Sequence, residues 1–320
     1  MRPARDQKSA ATGVYVNLAD LAGLGAKTQG ITFHSRQPAF SVLRGRRASR
    51  LRGRGIDFEE LRAYQAGDDI RSMDWRVTAR MRSPFVRVYR EEKERPVLLV
   101  VDQRASMFFG SVKDMKSVTA ARAAAVVAHR VVEADDRIGA IVFGDTGFSA
   151  LVPQRSRRQL QRIFGVIRDY NHSLGGDTPV APDLDGLNRA LGHVLEISTH
   201  DHLVVVVSDL AGSVSEETRQ LATRLRRRND MLVLWVHDPL EAALPDVGEA
   251  VLGDGVLQVQ VDTSSAATRA RFAEDVAARQ ARASNFALRY DVPLLPLCTD
   301  EDVVPQLKRL MGGRTPARRI

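Results

Sequence analysis

Two apolar runs that each end in an acid constrain the fold of this chain more than any other feature. Val97–Val101 contains five apolar residues and is followed directly by Asp102, and Leu203–Val207 leads through Ser208 to Asp209. Uncharged runs rich in Val and Leu are typical of strands buried on both faces of a parallel sheet. Because parallel strands end at the same edge of a sheet, we expect both acids to share one rim.

The chain after Pro96 alternates between strand patterns and helix patterns. Apolar residues recur at helical spacing in residues 116–133, 156–170 and 268–286, and short apolar runs separate these segments. Such alternation is typical of a sheet covered by helices on both faces. We therefore predict an α/β fold with a doubly wound, mostly parallel sheet and a smaller basic N-terminal module.

The charge of the chain is distributed unevenly although its net value is +8. Residues 1–95 contain 20 Lys and Arg against 11 Asp and Glu, whereas residues 96–320 contain 27 against 28. A change of charge balance of this kind marks a domain boundary near Arg95–Pro96. The predicted organisation has four parts: a poorly ordered segment at 1–35 with a short helix pattern at 17–24, the basic module at 36–95, the sheet domain at 96–312, and a basic tail at 313–320.

The basic module begins with a stretch that contains only one sign of charge. Arg36–Arg54 holds seven arginines and no acid. Such a stretch could contact phosphates or anionic lipid, or it could be a solvated arm or the docking face for an acidic partner. Arginines alone carry no base-reading pattern and no aromatic platform accompanies them, so we favour the solvated arm or the acidic partner over nucleic acid.

The rest of the module predicts a short helix, a turn and a strand. Asp57 is placed as the cap of a helix at Phe58–Tyr64, and Phe85–Arg90 alternates with the period of two that a half-exposed strand shows. Asp68, Asp69 and Asp74 lie between them. Because arginines lie nearby in the sequence, we expect these acids to form ion pairs with Arg62, Arg71 and Arg76 rather than to bind a metal ion.

Hydroxyl groups accompany the two acids of the predicted rim. Ser106 follows Asp102, and Thr178 lies in a Gly-Gly loop between the two acid-tipped strands. Carboxylate and hydroxyl oxygens suit Mg²⁺. The order Asp102, Ser106, Thr178, Asp209 resembles the metal-ion-dependent adhesion site of von Willebrand factor A domains, where Asp-x-Ser-x-Ser precedes a distant Thr and a later Asp.

Arg104 stands where this resemblance would place the first serine. A guanidinium group cannot bind a cation and repels one at ligand distance. Arg104 either points outwards and leaves a weakened metal site, or lies between Asp102 and Asp209 and supplies the positive charge itself. We favour a degenerate site with no certain cofactor, or at most weakly bound Mg²⁺ or Mn²⁺, and we expect Arg104, Asp102 and Ser106 to contact an acidic group of a partner, so that Arg104→Glu abolishes partner binding with little loss of stability.

A second resemblance involves the basic module. The block from Asp57 to Trp75 is similar to the signature of domain-of-unknown-function family 58, and the resemblance extends over roughly residues 45–312. The signature residues are Arg62, Tyr64, Gly67, Asp68, Asp69, Arg71, Asp74 and Trp75. The resemblance implies a von Willebrand factor A-like domain, a MoxR-type AAA+ ATPase as partner, and a role in the maturation or assembly of a client complex that the sequence does not identify.

The motifs of several enzyme classes are missing from the sequence. There is no Gly-x-x-x-x-Gly-Lys-Ser/Thr, no Gly-x-Gly-x-x-Gly after the first predicted strand and no Gly-x-Ser-x-Gly. Cys298 is the only cysteine, and no apolar run reaches the length of a membrane span. We therefore expect a non-enzymatic, cytoplasmic interaction protein, with binding to nucleic acid or an anionic surface through Arg36–Arg54 as the alternative.

Overall fold

The computed structural model describes most of the chain and divides it into two units. The described residues are 13–31, 56–91, 95–175, 182–211, 215–242, 244–253, 258–290 and 292–311. Gly45–Arg95 forms the smaller unit, and Met1–Arg44 together with Pro96–Ile320 forms the larger one. The boundary at Arg95–Pro96 coincides with the change of charge balance in the sequence.

The larger unit alternates strands and helices along the chain. Its strands are β3 (Val97–Asp102), β4 (Ile138–Gly144), β5 (Gly147–Gln154), β6 (Leu203–Ser208), β7 (Asp230–His237), β8 (Glu249–Gly253), β9 (Gln258–Asp262) and β10 (Leu294–Cys298). Its helices are α1 (Leu18–Gly23), α3 (Lys116–Glu133), α4 (Arg157–Ser173), α5 (Gly186–Ile197), α6 (Glu216–Arg226), α7 (Pro239–Ala242), α8 (Ala266–Arg289) and α9 (Val303–Leu310).

Six of these strands form one sheet in the order β10-β7-β6-β3-β4-β5. All neighbours are parallel except β4 and β5, which are antiparallel, so only one edge strand runs against the others. β3 is the first strand of this sheet along the chain, and it lies in the middle, between β4 and β6. The chain therefore adds strands first on one side of β3 and then on the other. This is the topology of a doubly wound sheet, and it confirms the predicted fold class.

The central strand β3 contributes to a core on each face of the sheet. Val97, Leu99 and Val101 belong to one buried cluster with residues of α3, α4 and α9. Leu98 and Val100 belong to the other, which includes residues of α5 and α6. Because successive side chains of a strand point to opposite faces, an apolar run without alternation needs helices on both sides.

The segment 13–31 packs on the first of these cores, although the sequence predicts little order for residues 1–35. Val16, Leu21 and Ile31 are buried there. His172 Nε2 lies 2.7 Å from the Val16 carbonyl oxygen, and His129 Nε2 lies 2.9 Å from that of Leu21. A helix as short as α1 is not stable alone, so its order comes from these tertiary contacts, which local sequence does not reveal.

The smaller unit contains β1 (Ile56–Ala63), α2 (Trp75–Met81) and β2 (Phe85–Glu91). The predicted strand at Phe85–Arg90 is confirmed, but the predicted helix at Phe58–Tyr64 is wrong. β1 pairs antiparallel with β2 over most of its length. Strand pairing is a contact between distant segments, and here it overrides the local pattern of a helix cap.

Several sequence-based predictions lie outside the described residues. Residues 32–55 are outside, and they include the whole arginine-rich stretch Arg36–Arg54; Thr178 and the basic tail at 313–320 are also outside. Within the described residues, no helix combines the length and the apolar character that a membrane crossing requires.

Candidate functional site

The carboxyl ends of β3 and β6 meet at one point of the sheet rim, as the two acid-tipped runs predict. The strands are parallel neighbours, with Val101 paired to Val207. Asp102 is fully buried, and the exposed fraction of Asp209 is 9%. Ser208, which ends β6, donates its hydroxyl to Asp102 Oδ2 at 2.7 Å. The register of two adjacent strands thus brings together residues that lie 107 positions apart in the chain.

Arg104 turns back onto Asp102 and lies between the two acids. Its Nε donates to Asp102 Oδ1 at 3.0 Å, and one terminal nitrogen donates to Oδ2 at 2.7 Å. The same terminal nitrogen lies 3.8 Å from Asp209 Oδ1. This is the two-pronged geometry that a guanidinium group forms with a carboxylate, and the exposed fraction of Arg104 is only 3%. Of the two placements considered for Arg104, the structure has the inward one.

Arg104 also joins three loops of the rim. It belongs to the loop after β3, it donates to the carbonyl of Asp183 at 3.1 Å, and it donates to the carbonyl of Ala211 at 3.4 Å. Gly186 makes room for this path, since a Cβ there would lie 2.9 Å from Asp183 Oδ2 and 3.4 Å from Arg104 Cδ. The guanidinium group therefore cross-links the loops that follow β3 and β6 to the loop that precedes α5.

Lys116 supplies a second buried cation on the other side of Asp209. Its ammonium group lies 2.8 Å from Asp209 Oδ2 and 2.5 Å from Glu241 Oε1, and only 3% of the residue is exposed. Trp235 donates its indole N–H to the backbone carbonyl of Asp209 at 3.1 Å. Arg104, Lys116, Asp102 and Asp209, which we call the rim cluster, thus form a buried group of two cations and two anions.

Burial and ion pairing act in opposite directions on the ionisable groups of this cluster. Burial raises the pKa of Asp102, against the opposing effect of Arg104. Burial also acts to raise the pKa of Asp209, but Lys116 and the hydrogen bonds outweigh it and hold that pKa below its ordinary value of 3.8. Burial lowers the pKa of Lys116, yet Asp209 and Glu241 outweigh this effect and raise it. Asp209 is therefore ionised and Lys116 protonated at neutral pH.

The described residues at this rim, which do not include Thr178, do not fit a magnesium ion. All four oxygens of the two carboxylates already face donors or cations of the chain, namely Arg104, Ser208, Lys116 and the backbone N–H of Ala211. Ser106 Oγ is buried without a hydrogen-bond partner among the described residues, but one neutral hydroxyl cannot hold a divalent ion. Within the same part of the chain, no group of three or more His, Cys, Asp or Glu side chains has the arrangement of a metal site.

The structure changes the role that the sequence suggests for Arg104. We expected Arg104, Asp102 and Ser106 to touch a partner directly, and Arg104→Glu to leave stability nearly unchanged. Asp102 and Arg104 are buried, and Arg104 donates to Asp102 and to the carbonyls of Asp183 and Ala211. In this conformation they cannot reach a partner's carboxylate, so the expectation about Arg104→Glu conflicts with the burial of its charge.

Lys116 was not identified as a site residue from the sequence, because its helix was recognised only by its stripe of apolar residues. One signal was available: Lys116 is the first residue of α3. A cation is unfavourable at a helix N-terminus, where the helix dipole is positive, unless an acid compensates it. A lysine at this position therefore points to a nearby carboxylate.

Two loops at the carboxyl edge of the sheet carry exposed apolar side chains. Val112, in the loop between β3 and α3, is 72% exposed, and Leu184, in the loop before α5, is 64% exposed. Leu184 follows Asp183, whose backbone N–H donates to Asp145 Oδ1 at 2.9 Å and whose carbonyl accepts from Arg104. The polar network thus fixes the backbone from which Leu184 projects.

The signature block of the smaller unit forms a second, separate arrangement. Arg62 and Asp68 form a two-pronged ion pair with distances of 2.7 and 2.8 Å, as predicted. Asp68 also accepts the backbone N–H of Gln65, and Gly67 between them has a φ of +107° that favours glycine. This pair and this glycine fix the turn that follows β1.

The other two acids of the block accept backbone N–H groups. Asp69 accepts the N–H of Arg71, and Asp74 is the N-cap of α2, where it accepts the N–H groups of Arg76 and Val77. The arginines that we expected as ion-pair partners therefore meet these acids through their backbone. Trp75 follows the cap, and 65% of it is exposed.

The family comparison agrees with the signature block. The model of the family described as "Protein of unknown function DUF58" matches residues 60–282. Uncharacterized proteins of Mycobacterium bovis and Mycobacterium tuberculosis are each 32% identical over 298 residues, which cover 91% of this chain and 90% of each relative.

Solved structures similar to this chain include proteins described in two different ways. The conserved hypothetical protein BatB of Bacteroides thetaiotaomicron is 13% identical, with a TM-score of 0.40, and the likeness covers 68% of this chain and 98% of that one. A von Willebrand factor type A structure of Catenulispora acidiphila is 8% identical, with a TM-score of 0.32, covering 71% of this chain and 45% of that one. The fold assignment rests on the strand order given above.

Proposed function

This chain belongs to the DUF58 family, and from that premise we propose that it is a non-enzymatic protein-interaction module that docks partners through a rim built without a metal ion. The observation that carries the proposal is the rim cluster. Its two cations are side chains of the protein itself, so the loops around it are cross-linked whether or not a divalent ion is present. The docking surface is the exposed part of that rim, including Val112 and Leu184.

Charge pairing in the cluster supports an interaction role over catalysis. Each charged group of the cluster has an oppositely charged partner within the chain, and Asp102 and Lys116 are almost fully buried. A general acid, base or nucleophile needs access to a substrate. Exposed apolar side chains on a fixed backbone instead suit a protein partner, since the interface gains by removing them from water.

We propose a MoxR-type AAA+ ATPase as one partner and an unidentified client protein as the other, with the pair acting in the assembly of other complexes in the cytoplasm. This part of the proposal comes from the family resemblance. The rim adds a physical expectation: a partner that binds it does so by shape and apolar contact, because the acids beneath are already neutralised.

The test measures binding of the purified MoxR-type ATPase of the same organism to the full chain by biolayer interferometry. Leu184→Ser combined with Val112→Ser should weaken binding at least tenfold, because both side chains lie on the proposed surface. Val152→Ser is the matched control, since Val152 is also exposed (55%) but lies in the edge strand β5. Equal effects of the two variants would contradict docking through the rim.

A second experiment tests whether the rim holds together without a metal ion. Addition of Mg²⁺ or Mn²⁺ to the isolated chain, followed by isothermal titration calorimetry, should give no binding tighter than a dissociation constant of about 0.1 mM. Removal of divalent ions with EDTA should leave the thermal unfolding midpoint unchanged. A tight site or a shift with EDTA would show that a metal ion helps to hold the rim.

A further inference from the structure

The signature block of the smaller unit is built around a helix that displays a tryptophan. The ion pair of Arg62 with Asp68 fixes the turn after β1, and Asp74 caps α2. The hydroxyl of Thr78, on the inner side of α2, accepts the backbone N–H of Phe85 at 3.0 Å and joins the helix to the start of β2. These contacts determine the direction of α2, yet none of them involves the side chain of Trp75.

Trp75 lies on an outward helix face together with two cations. Residues 75, 76, 79 and 80 of α2 are all exposed, and spacings of one, four and five place them on one side of a helix. Arg76 and Arg80 are four residues apart, so their like charges repel each other on the helix surface. No ion pair joins either arginine to a described side chain, and we call Trp75, Arg76 and Arg80 the α2 face.

The α2 face is unfavourable for the isolated unit. An exposed tryptophan keeps a large apolar area in contact with water, and two neighbouring guanidinium groups that form no ion pair with a described acid repel each other. Both costs disappear when an acidic surface with an apolar contact covers the face. We propose that the α2 face is a docking site for an acidic protein partner, which deepens the proposed role of the chain as an interaction module.

The composition of this unit favours a protein over nucleic acid as the occupant. Its other exposed large apolar residues are aliphatic or sulfur-containing, namely Ile70 (60%), Met81 (57%) and Leu61 (37%) among the described residues. Proteins that bind single strands stack bases on a series of aromatic rings, and among the side chains of this unit whose burial the structure describes, only the Trp75 ring is exposed. Trp and Arg are the residue types that carry most binding energy in protein interfaces, and Met is enriched there.

The chain provides a separate fluorescent reporter for each of its two surfaces. It contains two tryptophans, Trp75 in the smaller unit and Trp235 beside Asp209 at the rim. Trp235→Phe leaves Trp75 as the only tryptophan, so its emission reports the α2 face. Trp75→Phe leaves Trp235, so its emission reports the rim.

The experiment titrates the full-length Trp235→Phe chain with a synthetic amphipathic peptide of Glu and Leu and with the same peptide carrying Gln for Glu. The acidic peptide should shift the Trp75 emission to shorter wavelength and reduce its quenching by acrylamide. The affinity of the chain for this peptide should fall about tenfold between 50 and 300 mM NaCl, because the arginines are exposed and salt screens them. Arg76→Ala with Arg80→Ala should weaken binding about tenfold, while Arg224→Ala with Arg228→Ala, an exposed arginine pair of the larger unit, should have little effect.

Four results would overturn this inference: no change of Trp75 emission, an equal response to the Gln peptide, equal weakening by the two arginine pairs, or tighter binding of a single-stranded oligonucleotide than of the acidic peptide. Strong protection of Trp75 from acrylamide before any addition would also contradict it. Binding of the ATPase that changes the Trp235 emission but not that of Trp75 would leave the rim proposal intact. The reverse pattern would keep the α2 face and remove the rim.

Discussion

The rim cluster and the α2 face use the same side-chain types in opposite ways. In the rim cluster, arginine and lysine are buried, each lies within hydrogen-bond distance of a carboxylate, and the group holds loops together. On the α2 face, two arginines are exposed beside a tryptophan, and the acids nearby are used for helix caps and turns. A buried, paired charge contributes to structure, whereas an exposed, unpaired charge remains available to a partner.

The comparison predicts that substitutions in the two regions have different consequences. Loss of a charge in the rim cluster leaves its partner buried and uncompensated, so it should reduce the stability of the larger unit. Loss of a side chain on the α2 face should reduce binding and leave stability nearly unchanged.

Arg104→Met should destabilise the larger unit by about 3–5 kcal/mol, because Asp102 would remain buried next to Asp209 without its guanidinium partner. Urea unfolding followed through Trp235 fluorescence measures this effect. Arg189→Met is the control: Arg189 pairs with Asp183 of the same rim but its side chain is 49% exposed, so the change should stay below about 1 kcal/mol. Similar losses for both variants would mean that burial does not distinguish the two arginines.

Asp209→Asn should flatten the acid dependence of stability. The folded pKa of Asp209 lies below its ordinary value of 3.8, so its ionised form stabilises the fold fully above that pH and loses this contribution as the pH falls through the folded pKa. The free energy of unfolding of the unchanged chain should therefore fall more steeply below pH 4, by up to about 1.4 kcal/mol per pH unit. Trp235 fluorescence in urea at several pH values measures both slopes.

Asp68→Asn is the matching substitution in the smaller unit, and the pH dependence of its unfolding free energy is measured through Trp75 fluorescence. The hydrogen bonds from Arg62 lower the pKa of Asp68 as well, but this ion pair is partly exposed, whereas Asp209 is buried. The effect of Asp68→Asn on the acid slope should diminish in 0.5 M NaCl, whereas that of Asp209→Asn should persist, because salt screens exposed pairs more than buried ones. Equal sensitivity to salt would contradict the contrast between the two regions.

Trp75→Ala should change the free energy of unfolding by less than about 0.5 kcal/mol, since 65% of the side chain is exposed. Circular dichroism during thermal unfolding measures it without the lost fluorophore. A core tryptophan would instead cost about 3–5 kcal/mol. A loss of that size would show that the α2 face is covered within the chain.

The elements that were predictable from the sequence are those whose pattern is repeated over many residues. The doubly buried run of β3 and the helical stripe of α3 are examples, and both are present at the expected positions. The strand β1 was not predictable, because its pattern of cap and acid fits a helix and only pairing with β2 decides otherwise. For Asp69 and Asp74 the sequence indicated the right partner residues, Arg71 and Arg76, but the contact is made by their backbone N–H groups and not by their guanidinium groups.

The sequence by itself determined that two acids lie on one sheet rim and that an arginine stands where a ligand hydroxyl was expected. Only the tertiary structure decided that Arg104 turns inwards, that Lys116 reaches Asp209 from a different helix, and that Trp75 faces outwards. The physical reason is one of range. The periodicity of an apolar run and the acid that follows it are properties of neighbouring residues, whereas the compensation of a buried charge depends on groups that the chain brings together only when it folds.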